Sequence, residues 1–418
     1  MMSLFKGWPK DRIAQIYTQS ILPENSICVE SKNVKIKSVD MKSMVSFLYN
    51  SLVGSVKDHK NNSGIFSIIE CTSKSTFTYR VQERFASIQR QISFLFPFFI
   101  SDELLSWVEK FKPDAIYSTL YGIDIMCIVS FLSKSFDLPV IPHFMDDWPD
   151  TLSQRSLFLN LLDSALKHHL INILASSPLC MVISDAMASE YEVRYLKKMI
   201  PLMHCIEINE LKLKVLAERN NYKIRFIYIG GLHLNRWKSL QQIGNAMSEL
   251  AADGVNLECV IYTHPLDVEK YRNKLTIPNI MWIEGSLSHD EVLYVQVSAD
   301  CLLHIESFDS WDKTFTRLSV SSKIPEYLAA GRPIFAYGPE ELASIKYIKE
   351  IGCGFIVGQN NLVLLKQKLL EAATSSALRN TFGKLAFLAA EANHNATKQR
   401  LKFRDTIQLA INNANTAK

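Results

Sequence analysis

The segment from Arg225 to Lys238 reads RFIYIGGLHLNRWK, and its pattern decides the fold. A β-branched and aromatic run ends in Gly230-Gly231, and the residues beyond carry Leu240, Ile243, Met247 and Leu250 at helical spacing before Gly254. A buried strand, a glycine turn and an amphipathic helix thus follow one another. The alternation then repeats: LECVIYT from Leu257, a helix near 267–275, IMWIEG from Ile280, and a helix after Ser288, where Glu291 completes a capping box. DCLLHIE from Asp300, a helix from Ser322, PIFAYG from Pro333, a helix around 340–350 and GFIVG from Gly354 continue the series. Strands this apolar, separated by amphipathic helices, predict a parallel sheet covered on both faces. The second half is read as a doubly wound, Rossmann-like α/β domain.

The first half carries a similar unit. AIYST (115–119), a helical stretch and LPVIPHF (138–144) predict strand, helix, strand, and a helix around 157–175 and the strand LCMVIS (179–184) follow. Ser184 is placed to cap the next helix. Upstream, Ser26 to Lys37 and the GIFSIIECT run within 62–78 read as strands, and the opening SLFKGWPKDRIAQIYTQ reads as a helix. Glu207 to Lys223 has no strong apolar run, so the expected domains are 1–206, a linker at 207–222 and 223–390. A final helix at 391–418 is expected to pack back on the first domain.

Composition narrows the function. The 418 residues are 48% hydrophobic and 21% charged, which is a globular composition and not that of a disordered or fibrous chain. Lys+Arg 46 against Asp+Glu 42 gives a net charge of +4, too small an excess for a dedicated nucleic-acid binder. The 8 cysteines form no CxxC pair and no Cys/His cluster of zinc spacing, and they read as buried hydrophobes of a reducing compartment. The most apolar stretch, ISFLFPFFI (92–100), is too short to span a bilayer, and MMSLFKGWPKDR has charges where a signal peptide needs an apolar region. A cytoplasmic protein is expected.

In a sheet of this kind ligands bind beyond the carboxyl ends of the strands. Two loops there carry candidate chemistry. In Gly230-Gly231-Leu232-His233-Leu234-Asn235-Arg236-Trp237-Lys238 the glycines let the backbone approach an anion, and Arg236 and Lys238 can complete a diphosphate site. Taken alone, the double glycine reads first as an ordinary tight turn with solvated cations. It lacks GxGxxG spacing, which disfavours NAD or FAD. In SSKIPEYLAAGRPI (321–334), two serines before a proline open a helix, and Glu326 either complements the dipole of its first turn or accepts hydrogen bonds from a ribose diol.

Together, in this order, the loops resemble a known family. SSKIPEYLAAGRPI resembles the "PSKxxEYLAxGxPV" segment, and IYIGGLHLNRWKSL the "vGrlxxxKGxxxL" segment, of the donor-binding domain of retaining GT-B glycosyltransferases, especially those of the fourth family (glycosyl transferases group 1). PVIPHFMDDWPD (139–150) and CMVISDAMASEY (180–191) are similar to segments of the same enzymes' N-terminal domain. The resemblance covers about 112–357. It implies a GT-B fold of two Rossmann-like domains facing a cleft, and transfer of a sugar from a nucleotide-sugar donor to a polysaccharide or lipid-linked acceptor, as in lipopolysaccharide biosynthesis, with retention of configuration. It also implies no metal or other cofactor, because cations and helix dipoles stabilise the leaving diphosphate.

Residue by residue, the resemblance implies that Gly230 and Gly231 admit the donor phosphates and that Arg236, at the position of the family's loop lysine, neutralises the departing diphosphate, with Lys238 in support. Ser322 and Lys323 would hold the diphosphate and Glu326 the ribose, while Gly285-Ser286-Leu287 would border the nucleobase. The family's earlier glutamate is replaced by Leu318, and Glu306-Ser307-Phe308 resembles its context. Either about twelve residues are inserted after it, or Glu306 is a strand-end acid. His304 beside it reads equally as a strand histidine. On the acceptor side the family's histidine corresponds to His143, or by a two-residue slip to Met145 or Asp146, with Asp147 as a rival. Both acids are equally placed to cap the helix near Thr151.

The family's first strand and glycine loop have no counterpart before SLFKGWPKDR, which leaves an upstream start or a lost strand as explanations. That departure and Leu318 keep a catalytically weakened GT-B binding partner as an alternative, and a GT-B nucleotide-sugar epimerase as another. Phe77 to Phe99 offers either an amphipathic contact with the inner face of a membrane, where a glycolipid acceptor would be presented, or a helix packed on the first sheet.

Overall fold

The computed structural model describes residues 2–17, 28, 30–33, 100–151, 159–208 and 223–416. The expected strand within 62–78, most of the one at 26–37, the segment 77–99 and nearly all of the linker lie outside the described residues.

Two larger parallel sheets organise the described residues, beside a two-stranded pair near the start of the chain. The strands β1 (Ala14–Tyr17) and β2 (Glu30–Asn33) pair with each other in parallel. The strands β3 (Ile116–Ser118), β4 (Val140–Phe144), β5 (Cys180–Val182) and β6 (Met199–Pro201) follow in sequence and pair in that order. The second sheet holds β7 (Ile224–Ile229), β8 (Leu257–Tyr262), β9 (Met281–Glu284), β10 (Cys301–Ile305), β11 (Ile334–Tyr337) and β12 (Gly354–Val357). Its order is β12-β11-β10-β7-β8-β9, parallel throughout. The order reverses between β7 and β10, so the crevice for a ligand opens where those two strands end.

Alternation of side chains across β7 explains the two layers. Phe226 and Tyr228 join the core that includes Leu240, Ile243, Met247 and Leu250 of the helix Arg236–Ala252, whereas Ile227 joins the opposite core with Ile324, Tyr327 and Leu328. Each such side chain contributes roughly 1.5–3 kcal/mol by leaving water. The expected caps form: Ser288 and Glu291 make the capping box of the helix His289–Val297, and Ser184 accepts from the Met187 amide at the start of Asp185–Tyr195.

Two local expectations are corrected. The opening segment is not a helix but two single 3-10 turns, Met2–Phe5 and Lys10–Arg12, followed by β1. Gly7 takes φ +87°, and Pro9 disfavours a helical Trp8 before it, so a continuous helix cannot form. Phe5 and Trp8 pack instead on Phe403. The helix at the second loop is the six-residue Ile324–Ala329, capped by the backbone of Lys323 and not by a serine. Ser321 only accepts from the Lys323 amide, at 3.5 Å, and Ser322 is exposed.

The last helix, Ala396–Thr416, crosses back to the first half. Phe403, Ile407 and Ala410 share a core with Leu4, Ile141, Met181 and Leu202. Its entry is tied by reciprocal backbone bonds, Ile206 to His394 and Ala396 to Ile206.

Candidate functional site

The candidate site lies where β7 and β10 end. After Ile229 the chain turns at Gly230, whose amide donates to the Tyr262 carbonyl, and the Tyr228 hydroxyl donates to the Gly231 carbonyl at 2.7 Å. A Cβ on Gly230 would lie 1.6 Å from Lys323 Nζ, so the ammonium rests against the glycine backbone. Lys323 also stands over the Tyr228 ring, 5.2 Å from its centroid. Among the described residues no carboxylate forms an ion pair with it. Burial, reinforced by Arg236, lowers its pKa to about 8, with Glu306 and Glu326 pulling the other way.

Arg236 opens the helix after the turn and reaches across to β10. Its Nε donates to the Ile305 carbonyl at 3.1 Å, and its Nη2 donates to both carboxylate oxygens of Glu306, at 3.2 and 3.0 Å. Glu306 is buried; Ser239 Oγ donates to its carbonyl, and a Cβ on Gly338 would lie 2.7 Å from its own Cβ. Burial raises the Glu306 carboxyl while Arg236 opposes the rise. Burial works against the Arg236 charge, and Glu306 holds it above its ordinary value. His304, 3.5 Å from Glu306, is pushed down to about 3 by burial and then by Arg236 and Lys323, and is neutral. Arg236 is paired with Glu306, while the Lys323 ammonium, which also feels Glu326, has no ion-paired carboxylate among the described residues and is the donor left for an anion.

The remaining donor-side residues are arranged around this cluster. Glu326 is part-buried, accepts from Gln296 Nε2 at 3.2 Å, and is raised by desolvation. Lys238 is committed to Asp309 at 2.7 Å and is half exposed. Leu287 is part-buried in the loop after β9, and Ser286 beside it donates to the Thr263 carbonyl at 3.5 Å. Gly230, Gly231, Arg236, Glu306 and Lys323 are thus brought together; Lys238 and Leu287 stand outside their contacts. Glu306 directly follows the end of β10, and the helix Ser310–Thr316 lies between it and the Lys323 loop.

On the first half, His143 is not brought to these loops. It alternates with Phe144 across β4, faces the layer under the last helix, and bonds Tyr117 Oη through Nδ1 at 2.7 Å. Burial brings its pKa down to about 3, so it is a neutral core histidine. Asp146 accepts from Ser319 Oγ of the second half at 2.9 Å. Asp147 is buried and accepts from Tyr191 at 2.7 Å and Arg194 at 2.9 Å. The helix after them is the single turn Trp148–Thr151. Sequence reasoning missed Tyr228, Gly338 and Gln296. PIFAYG contained Gly338, but only the fold brings it against Glu306.

No family model matches the chain, and no curated protein matches it. Solved structures do. Sucrose-phosphate synthase from Thermosynechococcus elongatus is similar at TM-score 0.56 and 10% identity over 95% of this chain and 88% of that one. α,α-Trehalose 6-phosphate synthase from Burkholderia multivorans is similar at 0.55 and 10% identity, over 84% and 79%. The Anabaena protein HepE, in complex with UDP, is similar at 0.53 and 14% identity, over 73% and 81%. The likeness shows the fold: two Rossmann-like halves in the GT-B arrangement.

Proposed function

We propose that this chain is a glycosyltransferase that takes a sugar from a nucleotide-sugar donor, with retention of configuration, and passes it to a polysaccharide or lipid-linked acceptor. The observation that carries the reading is the Lys323 ammonium, held against Gly230 at the crevice between β7 and β10 without an ion-paired acid among the described residues. A nucleoside diphosphate there would accept from Lys323 and lie beside Arg236. Preorganised cations of this kind stabilise charge that grows on a leaving group, and the proposal needs no protein-bound metal. Glu326, steadied by Gln296, would take the ribose diol, and the loop of Leu287 would border the base. Asp146 is the proposed acceptor-side acid; His143, buried and neutral, is left out of that role. That the similar Anabaena structure holds UDP supports a uridine nucleotide as the first to try.

Among the described residues no helix is long and apolar enough to cross a membrane. A cytoplasmic setting with peripheral contact to the inner membrane face belongs to the same proposal. One observation favours a weakened donor site as a second reading: Arg236 is already committed to Glu306. A panel of UDP- and GDP-sugars, assayed for release of the nucleoside diphosphate, separates the two. Turnover of any member, lost in Lys323→Ala, supports the transferase; binding without turnover supports the weakened form.

A further inference from the structure

The segment Arg317-Leu318-Ser319 belongs to the second half but is seated in the first. Leu318 is 4% exposed and lies in the core formed by Phe144, Trp148, Met187 and Tyr191. Its carbonyl accepts from Ser184 Oγ at 2.7 Å, and the same Oγ accepts from the Met187 amide. Arg317 pairs with Glu190 and reaches Asp147 at 3.5 Å. Ser319 donates to Asp146. The chain then continues directly into Ser321, Ser322 and Lys323, and Ser344 fastens this stretch through the Ser319 carbonyl at 3.1 Å and the Ser321 amide at 3.0 Å.

We propose that Arg317 and Ser319 are positioning residues that latch the second half onto the first and set Asp146 across the cleft from Lys323. This rests on the donor-site reading above. Three residues separate Ser319 from Lys323, so an anion that bonds the Lys323 ammonium also restrains the segment that carries the latch. By reciprocity the latch strengthens anion binding by the factor by which the anion strengthens the latch. Leu318 explains why this position is apolar: it is a plug in the opposite core and not a ligand to the donor.

The test is hydrogen exchange of the backbone at 184–191, which touches the latch but none of the proposed donor residues, in the full chain with and without UDP and then GDP. Calorimetry on the same samples establishes binding. In the unmodified protein a bound nucleotide should slow exchange there by about tenfold. In Arg317→Gln/Ser319→Ala, exchange without nucleotide should be faster and the nucleotide's effect should vanish, with Arg317→Lys restoring part of it. Unchanged circular dichroism excludes general unfolding. Nucleotide that binds without slowing exchange at 184–191 overturns the coupling. Absence of any binding heat overturns the donor reading and the coupling with it, while the variants' exchange without nucleotide still decides whether the latch holds the halves together.

Discussion

Arg236 and Glu306 close an ion pair of 3.0 Å across the point where the second sheet reverses its strand order, with the glutamate 3% exposed. The pair joins the first and fourth strands of that sheet and fixes one cation at the mouth of the crevice. Removing one partner of a buried pair leaves the other uncompensated. Glu306→Ala should lower unfolding stability by about 3 kcal/mol in urea. Adding Arg236→Ala should cost less than the sum of the single losses, because the two side chains are coupled. Strict additivity would mean that the pair contributes nothing of its own.

The glycine turn has a separate consequence. Alanine at 230 would place its Cβ 1.6 Å from Lys323 Nζ, so the ammonium must move, and at φ +158° a side chain also strains the turn itself. Gly230→Ala should bind UDP at least about tenfold more weakly, the loss of roughly one charge-assisted hydrogen bond, with an unchanged far-ultraviolet spectrum. Retained affinity would remove Lys323 from the phosphate position.

Protonation of Lys323 sets a pH dependence. Burial has lowered its pKa to about 8, and a bound diphosphate would raise it again. The free protein therefore loses the positive charge as pH rises past about 8, and UDP affinity should fall from there toward higher pH. For folding the sign is opposite. The unfolded lysine keeps its proton up to its ordinary value, so this group favours the folded state more as pH rises through that window. Calorimetric titrations from pH 7 to 9.5, repeated with Lys323→Arg, check the binding half; a flat profile in the unmodified protein contradicts it.

The returning C-terminal helix is expected to be structural. Phe403 is fully buried and meets Phe5 and Tyr117 edge-on. Phe403→Ala should destabilise the chain by roughly 3–5 kcal/mol, seen as a lowered melting temperature, while UDP affinity below the new transition is unchanged.

Much of this was legible from residue patterns because the information was local. The spacing of Leu240, Ile243, Met247 and Leu250, the Ser288–Glu291 box and the apolar strands each follow from neighbours in the chain. Gly230, Arg236 and Lys323 could be named for the same reason, since loops after parallel strands are where ligands bind. What was not legible is long-range. Nothing near Arg236 announces that Glu306 will occupy its guanidinium, or that Asp309 will take Lys238. His143 could be named as an acceptor-side candidate from its place at the end of LPVIPHF, but only the register of β4 sets its ring against Tyr117 in a buried layer. The opening residues mislead because Gly7 and Pro9 break a run that otherwise has helical composition.

Lys323 and its glycine cradle are the proposed seat of a nucleoside diphosphate. Isothermal titration of UDP and GDP into the unmodified protein, Lys323→Ala and Glu326→Ala tests it most directly. One nucleotide should bind measurably, with binding lost in Lys323→Ala and weakened in Glu326→Ala. Unchanged affinity in both variants would contradict it.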